Sequence, residues 1–210
     1  MVFADRVEAG QRLGAALQAW RASDPVVVGL AHGGAVVGAE VAHSLQAPFD
    51  VMVSRKIGAP RNPEYAIGAV APGATWVDEA MVHLLDVPRD YIARAVGTEG
   101  VELDRGEQLL HGRQPRVDVA GRTVLLVDDG LATGATARAA ASSLRRRGAK
   151  QVVFAAPVGG PGGIARIRPV VDDMILLTVP WDFHCVSQVY RVFEPVEDGA
   201  VAGLLEGAAA

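Results

Sequence analysis

Two adjacent carboxylates, Asp128 and Asp129, close the apolar run Val124-Leu125-Leu126-Val127 and lead into Gly130-Leu131-Ala132-Thr133-Gly134-Ala135-Thr136. Ionised carboxylates only accept hydrogen bonds, so each can take a pair of donors from neighbouring sugar hydroxyls. Residues 132–136 are small, which lets an anion approach their backbone N–H groups. From Ala135 the segment ATARAAASSLRRRG reads as a helix stopped by Gly148. The unpaired N–H groups and positive dipole end of such a helix make a phosphate seat. A diol beside a phosphate is the chemistry of a phosphorylated ribose.

The elements that must position these groups are legible around them. A continuous apolar run points to a strand buried on both faces, as in a parallel sheet. Ligands of open α/β sheets bind beyond the carboxyl ends of the strands, where Asp128 should stand. Successive side chains on a strand point to opposite faces, so both acids serve one ligand only if the chain bends near Asp129, a bend Gly130 would permit. A second unit, Val26-Val27-Val28-Gly29-Leu30-Ala31-His32-Gly33-Gly34, is another buried-strand run ending in a glycine loop before a helix that extends to about Leu45. Strands are expected near 49–54, at 123–128, 151–156 and 174–179, with helices at the N-terminus, at 78–85, 88–110 and 162–167. The glycines at 97, 100 and 106 weaken the 88–110 helix. AIGAVAPGATWV reads as two short strands around a Pro-Gly turn. Residues 55–64, rich in proline and charge, read as an exposed loop. The alternation predicts a helix-flanked parallel sheet of the α/β class.

Segment 124–136 resembles the phosphoribosyl-pyrophosphate signature of type I phosphoribosyltransferases: apolar strand, two acids, small loop, Thr-Gly-x-Thr. The resemblance covers 13 contiguous residues. It implies a Rossmann-like phosphoribosyltransferase fold over residues 1–210 as one domain, with a helical insertion at about 78–118 and a small hood at about 180–197. It further implies transfer of 5-phosphoribose to an acceptor, a nitrogenous base, with release of pyrophosphate. Asp128 and Asp129 would hold the ribose hydroxyls as catalytic residues, and Ala132, Thr133, Gly134, Ala135 and Thr136 the 5-phosphate. In the family the loop matching Ala31, His32, Gly33 and Gly34 binds pyrophosphate through backbone N–H groups, often with unusual peptide geometry. Where the family frequently has Arg or Lys before the glycines, this chain has His32, whose charge titrates near neutrality. Arg55 and Lys56 match by position a mobile basic loop that closes over pyrophosphate. A solvated basic turn is the competing reading. Mg²⁺ is the implied cofactor, held mainly by substrate phosphates rather than protein ligands.

The C-terminal run gathers Trp181, Phe183, Tyr190 and Phe193 in a chain with 5% aromatics. The family's hood covers the acceptor base, which makes Trp181, Phe183 and Tyr190 acceptor candidates through stacking. A minicore beneath the segment is the other reading. Many 6-oxopurine transferases carry an acid where Ala132 stands, so Ala132 leans away from hypoxanthine and guanine. The acceptor stays open.

Composition bounds the rest. With 210 residues, half of them hydrophobic, the chain can bury a substantial core. A net charge of −4 with mixed signs argues against a nucleic-acid surface. No apolar run approaches the roughly 18 residues that span a bilayer. A single cysteine, Cys185, precludes an internal disulfide and fits a reducing, cytoplasmic setting. A P-loop is excluded because Gly-x-x-x-x-Gly-Lys is absent. A homodimer is the assembly allowed for. Two other functional classes stay open: a regulator that senses the same ligand without turnover, and a hydrolase of phosphorylated ribose, for which no nucleophile–base pair is visible.

Overall fold

The computed structural model describes residues 1–112 and 115–208. Its centre is a parallel sheet of β1 (Val26–Leu30), β2 (Phe49–Met52), β6 (Thr123–Val127), β7 (Gln151–Val158) and β8 (Asp173–Thr178), in the order β2-β1-β6-β7-β8. Between the strands run α2 (Gly33–Leu45), α5 (Ala135–Arg146) and α6 (Pro161–Ile167). The helices α1 (Arg6–Ala16) and α7 (Asp198–Ala208) lie beyond the first and last strands in the chain.

Alternation along the strands divides the core into two layers. Val27, Leu125, Val127, Val153 and Ala155 face α1, α2 and α7, where they meet Leu13, Val37, Val41 and Val201. Val26, Val28, Val124, Leu126, Val152 and Phe154 face the other way, onto the alanines of α5 and onto Ile167. Each large side chain buried this way contributes about 1.5–3 kcal/mol. The expected central strands and their helices stand where periodicity places them, within a residue or two at most ends.

The 55–64 segment differs from the loop expected of it. It forms most of a hairpin in which β3 (Arg55–Ala59) pairs antiparallel with β4 (Asn62–Ala71), and β4 with β5 (Ala74–Val77). The pairing jumps from Gly58↔Ala66 to Ala59↔Asn62, so Pro63, Glu64 and Tyr65 bulge out of the ladder, where a missing proline donor is tolerated. The apolar stretch Ala66–Ala71 is buried and packs with α5. Pairing with that stretch imposes strand geometry on the charged residues before it. The Pro-Gly turn lies at Pro72–Gly73, with Gly73 at φ 69°, as the sequence reading has it.

Between β5 and β6 lie α3 (Glu79–Leu84) and α4 (Arg89–His111). The span 78–118 includes residues 113 and 114, which lie outside the described residues. Helix α4 continues through its glycines because Ile92, Leu103 and Leu110 anchor one face. Nothing lies within 4 Å of where a Cβ would stand at Gly97 or Gly100. Their replacement by alanine therefore removes a helix-propensity cost without a clash. Gly97→Ala with Gly100→Ala should add about 1–2 kcal/mol, seen as a melting temperature higher by roughly 2–4 °C per kcal/mol.

Helix α4 ends in a buried ionic cluster. His111 Nε2 lies 2.8 Å from Asp50 Oδ1, and Nδ1 lies 3.1 Å from Glu107 Oε2 but off the line of a good hydrogen bond. Asp50 also accepts from the Val51 and Val117 N–H groups, and Glu107 from Val53 N–H and Arg116. Burial opposes a charge on His111, but the two carboxylates outweigh it and raise the imidazole from 6.5 to about 9. A histidine raised in the folded state gives its full stabilisation below its ordinary pKa and loses it as pH climbs through the folded value. His111→Ala should cost about 3–5 kcal/mol near neutrality, chiefly by taking the imidazolium from buried Asp50, while Glu107 keeps Arg116. The melting-temperature gap between wild type and variant should narrow as pH rises through about 9; a gap constant with pH would refute the assignment.

Candidate active site

The strand order makes the crevice. From β1 the chain crosses to β2 on one side, and from β6 to β7 on the other, so the connections diverge between β1 and β6. Such a switch point is where open α/β sheets bind ligands. In the β1–β6 register Gly29 stands opposite Val127, so residues 31–34 and 128–130 leave the sheet side by side.

The two motifs touch through their glycines. A Cβ on Gly33 would fall 1.9 Å from Asp129 Oδ2, and one on Gly34 would fall 2.8 Å from Asp128 Oδ1 and Cα. Only hydrogen at these positions lets the acids lie against the loop. The chain bends at Asp129, and the Asp129 N–H donates to Asp128 Oδ1 at 2.9 Å. Gly130 serves by size rather than by a left-handed turn. Its φ is not positive, and a Cβ there would meet Val186 at 2.4 Å.

Neither acid is in free water. Burial, reinforced by the negative charge of Asp129, holds the Asp128 carboxyl well above the ordinary carboxylate range. Burial raises Asp129 too, but Arg6 opposes it with a hydrogen bond and its charge. The Arg6 Nε lies 2.8 Å from Asp129 Oδ2. That guanidinium is itself fixed, donating to the Glu194 carbonyl at 2.7 Å and lying 3.9 Å from the Phe193 ring centre.

Beyond the acids, Leu131 bridges to Gly159, and the chain enters α5 through Gly134 at φ 75°, a left-handed conformation that favours glycine. No side chain caps α5; the Thr133 hydroxyl is only at the limit of reach, 3.5 Å from Ala135 N. Apart from that long contact, the first N–H groups of this helix have no acceptor within it, the requirement of an anion seat. The backbone is held from outside, since Arg166 donates to the Thr133 carbonyl, and the Ser54 hydroxyl lies between the Val70 carbonyl at 3.0 Å and the Thr136 carbonyl at 3.2 Å.

On the β1 side the Ala31–His32 peptide is cis. The His32 Nε2 lies 2.7 Å from Asp198 Oδ1. A cleft of about 450 Å³ opens beside this loop, lined in part by Ala31, His32, Arg55, Arg105 and Asp198. Arg55 points into it and pairs with Glu99 at 3.0 Å. Lys56, its neighbour on the strand, points to the opposite face and pairs with exposed Glu64 at 3.3 Å. The structure thus brings Arg55 to the glycine loop and leaves Lys56 outside.

The C-terminal aromatics separate. Trp181 is 94% exposed. Phe183 is half-buried and closes against Gly160, where a Cβ would meet its ring at 2.4 Å. Tyr190 is buried in a minicore with Phe3 and Phe193, and its hydroxyl donates to the Asp129 carbonyl at 2.7 Å. Tyr190 is a support for the acid loop there, rather than an open stacking face.

Arg6, Ser54 and Arg166 escape the sequence reading. Each meets the site from another element, Arg6 across 123 residues, Ser54 across 82 and Arg166 across 33, and no local pattern marks a donor so placed. Removing Arg6 takes away the charge that opposes burial at Asp129. In Arg6→Ala the Asp129 carboxyl should titrate at higher pH than in wild type, read from its ¹³C resonance. An unshifted titration would show that Arg6 does not control this acid.

Comparison with known proteins agrees with the geometry. The family model for the phosphoribosyl transferase domain matches residues 8–189. A protein of Mycobacterium tuberculosis provisionally named a phosphoribosyl transferase is 38% identical over 211 residues, covering 99% of this chain and 47% of its own. The chain thus spans about half the length of that relative. A uracil phosphoribosyltransferase of Streptococcus pyogenes is 35% identical over 75 residues, 36% of each chain. The crystal structure of TT1426 from Thermus thermophilus superposes with a TM-score of 0.84 at 36% identity, covering 100% of both chains. The mostly parallel, helix-flanked sheet is the phosphoribosyltransferase-type α/β fold, and the chain belongs to the phosphoribosyltransferase family.

Proposed function

We propose that the site transfers 5-phosphoribose from phosphoribosyl pyrophosphate to a nitrogenous base, with release of pyrophosphate. The observation that carries this reading is the contact of the Gly33–Gly34 loop with the Asp128–Asp129 pair. It gives one substrate a diol acceptor and a place for its leaving group side by side. The ribose hydroxyls donate to the two carboxylates, and the 5-phosphate takes N–H groups from residues 133–136 at the start of α5.

Bond breaking at the anomeric carbon moves positive charge onto the ribose and negative charge onto pyrophosphate. The carboxylates face the first, while the backbone of residues 31–34 and the Arg55 guanidinium face the second. The donor set suits magnesium: Asp128 and Asp129 offer hard oxygens, and among the described residues no group of three or more His, Cys, Asp or Glu is placed to cage an ion. When bound through substrate oxygens, Mg²⁺ supplies charge neutralisation at the leaving group. Exposed Trp181 remains available to an acceptor, and Ala132 places no acid near it. That suits a base needing no proton exchange at this position, adenine or uracil rather than a 6-oxopurine.

Asp128→Asn with Asp129→Asn should weaken phosphoribosyl pyrophosphate binding at least about a hundredfold, because two charge-assisted hydrogen-bonding sites are lost. The variant should still fold, because Arg6 keeps the Glu194 carbonyl and the Phe193 ring when the carboxylate is lost. Calorimetry of the wild type and this variant, with Mg²⁺ present, checks both; equal affinity would overturn the reading. Raised carboxyl pKa values also mean that wild-type binding should fail on acidification above the usual carboxylate range. The His32–Asp198 pair, which already gives the loop histidine an anionic partner, favours one second reading: a sensor that binds the same ligand without turnover. Pyrophosphate release across a panel of bases separates the two.

A further inference from the structure

We propose that Arg166 is the positioning residue of the 5-phosphate seat: it turns the Thr133–Gly134 peptide so that the Gly134 N–H points at the phosphate. The inference rests on the phosphate seat proposed above. It adds a residue that touches no substrate and no reacting atom.

The geometry is a tethered arginine behind a loop. From α6 one guanidinium nitrogen of Arg166 donates to the Thr133 carbonyl, and the other lies 2.9 Å from Asp78 Oδ2. The pair is well shielded, with side-chain exposures of 23% for Arg166 and 14% for Asp78. Asp78 is fixed in turn, because its other oxygen caps α3 by accepting from Met81 N–H at 3.1 Å. The guanidinium carbon lies 5.5 Å from the Trp76 ring centre, so its plane is restrained as well. Arg138 donates to the Arg166 carbonyl and ties α5 to the same turn of α6.

A trans peptide carries its C=O and N–H on opposite sides. Drawing the Thr133 oxygen outward toward Arg166 therefore aims the Gly134 N–H inward. The turn that results needs a left-handed Gly134, which is what stands there at φ 75°. Helix α6 also closes on the loop through backbone alone. A Cβ on Gly163 would fall 2.5 Å from the Ala132 carbonyl oxygen, and one on Gly134 would fall 2.9 Å from the Gly163 oxygen. The loop is thus pressed from behind by glycines and pulled at one carbonyl by Arg166. Without that pull, the peptide is free to flip and present an oxygen to the phosphate.

The test separates the two ends of the substrate. Binding of ribose 5-phosphate and of inorganic pyrophosphate is measured separately by calorimetry for wild type, Arg166→Ala and Arg166→Lys. Losing one aimed N–H should weaken ribose 5-phosphate about tenfold in Arg166→Ala, while pyrophosphate stays within about twofold, since the site for it lies on the β1 side. Arg166→Lys keeps the charge but cannot serve Thr133 and Asp78 together, and should fall between. The amide resonance of Gly134 should move on adding ribose 5-phosphate to wild type and move much less in Arg166→Ala. If Arg166→Ala does not fold, the Lys variant and its Gly134 resonance carry the same comparison. Ribose 5-phosphate bound equally by wild type and variants, or both ligands weakened alike, overturns the positioning role and leaves the phosphate seat standing. Wild type that binds neither ligand overturns the seat itself, and the inference with it.

Discussion

The parallel pairing of β1 with β6 is the constraint on which the site depends. Sequence separates these strands by α2, β2, the three strands β3–β5 and the helices α3 and α4, yet Gly29 and Val127 come into register and their loops emerge together. A slip by one residue would turn Val127 and its neighbours to the other core layer and move both acids off the glycine loop. The register is pinned because both strands are buried on both faces, so every side chain votes for one alignment. Precision at the strand tips is bought by packing far below them.

That precision permits an arrangement that is costly in isolation. Two neighbouring carboxylates are crowded together at the head of a buried strand, and each resists ionisation there. A buried ion pair recovers its desolvation cost only where geometry and further hydrogen bonds are good. Arg6 meets that condition through a restrained guanidinium, and the Tyr190 hydroxyl steadies the backbone of the same residue. The N-terminal and C-terminal segments that carry these groups are joined to each other: Phe3 N–H donates to the Val189 carbonyl at 2.7 Å, and Arg191 N–H to the Phe3 carbonyl at 2.9 Å. The segments around Phe3 and Tyr190 thus act together as one clamp on Asp129. The sugar diol proposed for this site would replace part of what burial took from the acids.

What could be read from sequence was the part coded locally. Val124–Val127 with its two acids, the Val26–Gly34 unit and the alanine-rich α5 carry their structure in adjacent residues, because burial on both faces and small-residue loops leave compact patterns. The 55–64 hairpin was not legible, since its strand character comes from pairing with Ala66–Val70 and not from its own prolines and charges. Tyr190 shows the ambiguity of an aromatic cluster. Composition alone does not separate a stacking platform from a minicore, and contact with Phe3 from the other end of the chain decides the matter. Arg55 and Lys56 show a subtler limit. Adjacent in sequence and alike in charge, they part by strand alternation, and only strand assignment tells which one lines the cleft beside the glycine loop.

The supporting residues share a logic that explains why they hide. Arg6, Arg166 and Tyr190 act on the backbone or a charged side chain of a loop residue, and Ser54 on the first turn of α5, and none needs a neighbour of its own in sequence. Loop backbone is chemically uniform, so any element that passes close enough can supply the donor. What selects the donor is topology: α6 passes behind the 132–134 loop because β7 follows β6, and α1 reaches the acids because it packs on α2 beside β1. Function on this fold therefore has two layers of encoding. The motif residues proposed to meet substrate are written in short contiguous strings, whereas the residues that support them are scattered along the chain and gathered only once the sheet has formed.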